Sequence, residues 1–188
     1  MGHPTMLLQR IAKNYARWRA PFGDKKMRIA IENDLNDIVS IYNSTVSTRQ
    51  STADTTEVSV ESRLEWFRQH DPKKRPLLVH EDNDKVVGWV SFQSFYGRPA
   101  YDHTAEISIY ISPEYRGKGL GRLLLAESLE LTEELCIKTV VCFIFSHNTQ
   151  SMKLFKSFGF EEWGKLPKVA EMDGKEYSLS IMGKRVNA

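Results

Sequence analysis

Apolar residues recur along the chain with two periods, and the switches between them mark out its elements. Residues 27–31 alternate as a short strand. Leu35, Ile38, Ile41 and Tyr42 then fall at helical spacing behind Asn33 and Asp34, two residues suited to an N-cap. The polar span 43–57 reads as a loop long enough to suspect function. Leu64, Trp66 and Phe67 belong to a second helix, opened near Ser59 and stopped by Asp71-Pro72. Residues 76–81 and 85–95 flank Asp82-Asn83-Asp84 as a hairpin. Residues 104–112 alternate Glu106, Ser108 and Tyr110 with Ile107, Ile109 and Ile111, a third strand with two distinct faces.

The second half repeats the logic. Residues 121–135 form a helix with Leu124, Leu131 and Leu135 on one face. The dense apolar run 138–146 fits a strand buried on both sides. Residues 148–158 form a helix capped by Asn148, with Gly159 just past its end. Strands at 160–165 and 175–184 close the chain, the last preceded by the turn Asp173-Gly174. The order β-α-α-β-β-β-α-β-α-β-β predicts an α+β fold, a mixed sheet flanked by helices in a single domain.

Composition adds limits. The 188 residues are 41% hydrophobic, enough for one domain with a full core, and no apolar run approaches a membrane span, so no membrane partner is expected. Two cysteines suggest neither a disulfide scaffold nor a metal site, which favours a cytoplasmic protein without a metal. The net charge of +2 conceals an asymmetry: residues 1–28 carry about +6 and the remainder about −4. Residues 1–26 therefore read as a basic extension and residues 27–188 as the domain. With Leu7, Leu8, Ile11, Tyr15 and Trp18, that extension suits contact with an acidic surface, an import receptor or nucleic acid, or plain packing of an aromatic on the domain. Nucleic acid is disfavoured as a partner because the domain itself is acidic.

The chemistry concentrates in Arg116-Gly117-Lys118-Gly119-Leu120-Gly121-Arg122, between a strand and a helix. A helix start leaves amide N–H groups unpaired, and the helix dipole adds positive potential, so the segment suits an anion such as a pyrophosphate. It is not a P-loop, since Lys118 is followed by Gly119-Leu120, and its G-x-G-x-G spacing is not the dinucleotide fingerprint.

The same residues resemble the [QR]-x-x-G-x-[GA] acetyl-CoA signature of the GNAT superfamily of N-acetyltransferases. Asn148-Thr149-Gln150-Ser151 and the run from Leu154 to Phe160 resemble two further GNAT segments. The stretch Tyr101-Asp102-His103-Thr104-Ala105-Glu106-Ile107-Ser108-Ile109-Tyr110, with Trp66-Phe67, resembles phosphinothricin and methionine sulfoximine acetyltransferases.

The resemblance implies the GNAT acyl-CoA N-acyltransferase fold over about residues 27–185, acetyl-CoA as co-substrate and a small-molecule amine as acceptor. It implies that Ile109, Tyr110 and Ile111 pair with the cofactor's pantetheine arm. Arg116, Gly117, Lys118, Gly119, Leu120, Gly121 and Arg122 would cradle its phosphates, with Asn148 and Ser151 on the opposite side. Asn148 is equally well read as a plain N-cap. Glu106 takes the place of the catalytic base, against the plainer reading of a solvated or paired strand carboxylate; His103 is a second candidate base. Arg98, Pro99, Ala100 and Tyr101 match the substrate segment, with Arg98 either a carboxylate clamp or an exposed charge. Residues 45–56 are expected to form a lid or a wall completed by a second subunit, and related enzymes imply a homodimer. Phe155 stands where many relatives carry a proton-donating Tyr, which leaves the general acid open between Tyr110 and solvent. The competing functions are acetylation of a protein N-terminus or lysine, and a non-catalytic acetyl-CoA-binding module.

Overall fold

The strands of the computed structural model, which describes Tyr15 and residues 17–187, are β1 (Arg28–Ile29), β2 (Leu77–Asp82), β3 (Lys85–Ser94), β4 (Thr104–Ile111), β5 (Thr139–Phe145), β6 (Glu161–Met172) and β7 (Lys175–Arg185). They form one sheet in the order β1-β2-β3-β4-β5-β7-β6. Every pairing is antiparallel except β4 with β5. The two hairpins turn through Asn83-Asp84 and Asp173-Gly174, all four at positive φ, the geometry whose twist matches flanking strands.

Among the described residues that follow β1, four α-helices cover the sheet: α1 (Leu35–Val46), α2 (Val60–Arg68), α3 (Leu120–Glu130) and α4 (Thr149–Ser157). Helices α1 and α2 pack with Trp89, Leu77 and Val79, and the Trp89 indole N–H donates to the Ile38 carbonyl at 3.1 Å. Helices α3 and α4 bury Leu120, Leu123, Leu124, Met152 and Phe155 with Phe92, Ile107 and Met182 in a separate cluster. Buried aliphatic and aromatic side chains of this kind stabilise by about 1.5–3 kcal/mol each.

Three elements differ from their sequence reading. Helix α1 continues to Val46, into the expected loop, because its polar residues are satisfied in place. Ser44 and Thr45 donate to the Ile41 and Tyr42 carbonyls at 2.6 and 2.7 Å, and Asn43 exchanges two hydrogen bonds with the Val58 backbone at 2.9 and 3.0 Å. Helix α3 stops at Glu130; Leu131 and Leu135 follow in turns yet still pack on the core. Strand β6 runs to Met172, beyond residue 165. As an edge strand it is exposed on both faces, so it shows no apolar alternation.

The chain ahead of β1 docks on the domain from Tyr15 onward. Phe22 is buried in the main core, and Trp18 lies 5.4 Å from Phe158. The buried Glu127 of α3 accepts from Tyr15 Oη and the Met27 N–H, each at 3.0 Å, and pairs with Arg19. Lys25 pairs with Glu81, and Arg28 at the start of β1 pairs with Asp34 and Glu81, so part of this basic charge is spent on the acidic domain. Leu7, Leu8 and Ile11 lie outside the described residues.

Candidate active site

The site begins where the sheet comes apart. The β4–β5 pairing runs from Thr104↔Thr139 to Glu106↔Val141 and stops, while both strands continue. β5 stays paired with β7, so a wedge opens between the ends of β4 and β5. A cleft of about 610 Å³ fills it, walled by Ile109, Tyr110 and Ile111 on one side and by Asn148, Ser151, Leu154 and Phe155 on the other.

The glycine loop closes one end. Gly119 is at φ 96°, where a side chain would be strained, and its carbonyl accepts the N–H groups of Arg122 and Leu123 at 3.0 and 3.2 Å. The amides ahead of these have no intrahelical acceptor, and Gly119 and Gly121 line the cleft at this end of α3. At Gly121 the constraint is contact: a Cβ would lie 3.2 Å from Ile111 Cδ1 and 3.3 Å from Leu154 Cδ2, so glycine lets α3 wedge between β4 and α4.

Arg116, Gly117, Gly119, Gly121 and Arg122 line the cleft; Lys118 and Leu120 do not. Leu120 is buried in the core, and the Lys118 ammonium sits 5.4 Å above the Tyr115 ring, leaving only their backbone amides to the loop. Arg116 donates to the Ile111 carbonyl at 3.0 Å and to Ser44 Oγ at 2.9 Å, and burial lowers its pKa. Lys153 joins the cleft, a cation the motif does not contain.

A strap crosses the wedge. The consecutive carbonyls of Arg49, Gln50 and Ser51 accept from His147 Nε2 at 2.8 Å, Asn148 Nδ2 at 3.1 Å and Tyr110 Oη at 3.0 Å. Tyr110 belongs to the β4 arm, and His147 and Asn148 to the β5 side, so residues 49–51 bridge the two. Arg49, itself at φ 55°, is anchored to Asp173 by hydrogen bonds of 2.8 and 3.2 Å. Asn148 thus has two tasks: its Oδ1 caps α4 by accepting the Ser151 N–H at 3.0 Å, while its Nδ2 holds the strap.

Glu106, at the last rung before the wedge, lines two smaller cavities. One, of about 270 Å³, continues the cleft beneath the strap past Cys142 and Phe155. The other, of about 200 Å³, lies on the α1–α2 side among Tyr42, Arg63, Trp66, Ser91 and Tyr110. Burial raises the Glu106 carboxyl above the ordinary glutamate value, and no ion pair among the described residues opposes this. Burial also pushes the Tyr110 phenol and the Cys142 thiol up, so Cys142 is a poor nucleophile. Tyr110 stacks on Trp89 with ring centroids 4.4 Å apart.

Arg98, Pro99, Ala100 and Tyr101 are not brought to this place. They are exposed around a single 3-10 turn, Tyr101 clusters with Phe95 and Tyr96, and none lines the three cavities. His103 contacts the Cys136 carbonyl at 2.8 Å from an exposed position. The cation that lines a cavity with Glu106 is Arg63, lying over Tyr42 at 4.6 Å and Trp66 at 5.8 Å and paired with Asp54 at 2.8 Å. Its sequence signal was its place three residues before Trp66, on the same helix face.

A splayed parallel strand pair, a glycine loop opening a helix beside it and a half-buried carboxylate of raised pKa at the vertex define an acyl-CoA-dependent N-acyltransferase. The model of the Acetyltransferase (GNAT) family matches residues 35–160, and the chain belongs to that family. A Bacillus subtilis (strain 168) protein provisionally named phosphinothricin acetyltransferase YwnH is 51% identical over 162 residues, covering 86% of this chain and 99% of that one. A Salmonella typhimurium L-methionine sulfoximine/L-methionine sulfone acetyltransferase is 31% identical over 156 residues, 83% of this chain and 91% of that one. Among solved structures, a phosphinothricin acetyltransferase from Sinorhizobium meliloti in complex with acetyl-CoA superposes with a TM-score of 0.81 at 28% identity, covering 86% and 88% of the two chains. This chain is accordingly an acetyl-CoA-dependent N-acetyltransferase, and its cleft fits that co-substrate: free loop amides and Arg122 suit the phosphates, and the unpaired β4 edge suits an amide-bearing arm.

Proposed function

We propose that the protein acetylates the α-amine of a small amino-acid analogue of the phosphinothricin, methionine sulfoximine or methionine sulfone type, with Glu106 as general base. The observation that carries this reading is the position of Glu106 on the wall shared by the cofactor cleft and a cavity of about 200 Å³. That cavity suits an amino acid and is too small for a folded peptide segment. The names of the similar proteins from Bacillus, Salmonella and Sinorhizobium support the same acceptor class.

Bound acetyl-CoA supplies an acetyl group activated as a thioester. The chain's own residues then bind, orient and move a proton. Arg63 takes the acceptor's carboxylate, the aromatic walls exclude water, and Glu106 accepts an N–H proton as the amine nitrogen becomes an amide nitrogen. A carboxyl with a raised pKa is the better base near neutrality. Phe155 has no proton to give, so solvent or Tyr110 returns one to the leaving thiolate, and with Tyr110 tied to Ser51 the reading favours solvent.

The enzyme is proposed to work in the cytoplasm as a homodimer. Free Cys136 and Cys142 support the reducing compartment, and the exposed Tyr96 and Tyr101, packed on the half-buried Phe95, support a second copy covering that surface. Incubation with acetyl-CoA and each candidate amine, followed by mass spectrometry, tests the function. An N-acetyl amino-acid product supports it, and acetylated peptide alone refutes it.

A further inference from the structure

His70, just past the end of α2, and Ser91 on β3 form a pair that the reaction as described leaves unused. His70 Nδ1 lies 2.9 Å from the Trp66 carbonyl, and Nε2 lies 2.8 Å from Ser91 Oγ. A carbonyl oxygen only accepts, so Nδ1 carries the proton of the neutral ring, and Nε2 must accept from the Ser91 hydroxyl. The serine proton is therefore committed to histidine, and the Ser91 oxygen presents its lone pairs elsewhere. Ser91 is only 2% exposed and lines the cavity that holds Glu106 and Arg63. Gln93 pairs with Glu106 and Ser91 with Ser108, so Ser91 and Glu106 share one face of the sheet one step apart on a diagonal.

We propose that Ser91, polarised by His70, holds the acceptor amine through a second N–H while Glu106 holds the first. This deepens the function proposed above and rests on it. An amine with two of its N–H bonds directed to Ser91 Oγ and the Glu106 carboxylate has its lone pair fixed toward the cofactor side of the cavity. Glu106 then takes its proton as the C–N bond forms; Ser91 gains and loses none. Ser91 is thus a binding residue for the amine and His70 a positioning residue acting through it.

Protonation of His70 reverses the pair. Nε2–H then donates to one lone pair of Ser91 Oγ, and the serine hydroxyl turns its proton into the cavity, where it opposes the amine N–H. The other titratable and charged groups of this cavity are Tyr42 from α1, Arg63 from α2, and Glu106 and Tyr110 from β4. Asp71, next in sequence, is occupied by the Lys73 N–H at 2.8 Å, and Arg68 faces Glu32. Burial lowers the imidazole pKa, which keeps the ring neutral and the pair in its amine-holding state at neutral pH.

Steady-state kinetics of wild type, Ser91→Ala and His70→Asn from about pH 5 to 9, with the KM of amine and of acetyl-CoA read separately, test this. Both variants are expected to raise the amine KM about tenfold near pH 8 with the acetyl-CoA KM unchanged, the scale of one lost hydrogen bond to a reacting group. The rise of the wild-type amine KM at acid pH should be absent from both, while the Glu106 limb of the profile stays. An active wild type whose Ser91→Ala variant keeps its amine KM within about twofold overturns the pair's role and leaves the function standing. Turnover of peptide amines alone overturns the amino-acid reading, yet a raised peptide KM in both variants still supports the pair. An enzyme that acetylates no amine refutes both.

Discussion

Glu106 faces Val141 at the last rung of the parallel β4–β5 pairing, so the proposed base stands at the vertex of the wedge that receives the cofactor. Its placement there explains its raised pKa, because the carboxyl is shielded without being paired. The ionised form is the base, so kcat/KM should climb with pH through an inflection above the ordinary glutamate value near 4.5 and then level. A pH profile flat down to about pH 4.5 would contradict this.

The loop glycines answer to different constraints, and substitutions should separate them. Gly119→Ala forces a left-handed residue at φ 96° into strain of about 1–2 kcal/mol and disturbs the amides that face the phosphates. We expect its acetyl-CoA KM to rise about tenfold with the amine KM unaltered. Gly121→Ala meets Ile111 and Leu154 at 3.2–3.3 Å, and its expected signature is a lower Tm, on the order of 2–4 °C for each kcal/mol of overpacking. Kinetics and thermal melts of the two variants check the division.

Asn148 should show its two tasks separately as well. Asn148→Ser keeps an N-cap acceptor for α4 but loses the donor to the Gln50 carbonyl. Stability should fall by less than about 0.5 kcal/mol, while amide exchange in residues 49–53 accelerates. Asn148→Ala loses both and should cost about 1 kcal/mol more.

Arg63→Ala is expected to raise the amine KM about 10–100-fold, the scale of a charge-assisted hydrogen bond, whereas Arg98→Ala should change it less than about twofold. The reverse order would place the carboxylate receptor on the segment of residues 98–101, supplied by a second copy.

The contrast between these arginines shows where sequence reading stops. Alternation in β4 assigned Glu106, Ser108 and Tyr110 to one face, and the G-x-G-x-G loop pointed to an anion site, because local chemistry demands both. Arg98 lies eight residues before Glu106 but on an exposed turn, while Arg63, forty-three residues away, reaches the cavity through helix packing on the sheet. Neither fact is local. The strap falls within residues 45–56, which the sequence marks as a lid or wall, but its contacts are not legible there: Arg49, Gln50 and Ser51 contribute carbonyls, and a backbone group leaves no mark on residue type.

The proposed role of Glu106 lies in transfer and not in folding. Thiol release from acetyl-CoA with methionine sulfone, for wild type and Glu106→Gln, alongside thermal melts, separates the two roles. A raised folded-state pKa means that the carboxyl's contribution to stability is lost as pH rises through that value, so at neutral pH the charge destabilises the fold. Glu106→Gln should lose about 10²–10⁴-fold in kcat/KM while its Tm equals or exceeds that of wild type at pH 7. Retained thiol release in Glu106→Gln, or a loss accompanied by a lower Tm, would contradict it.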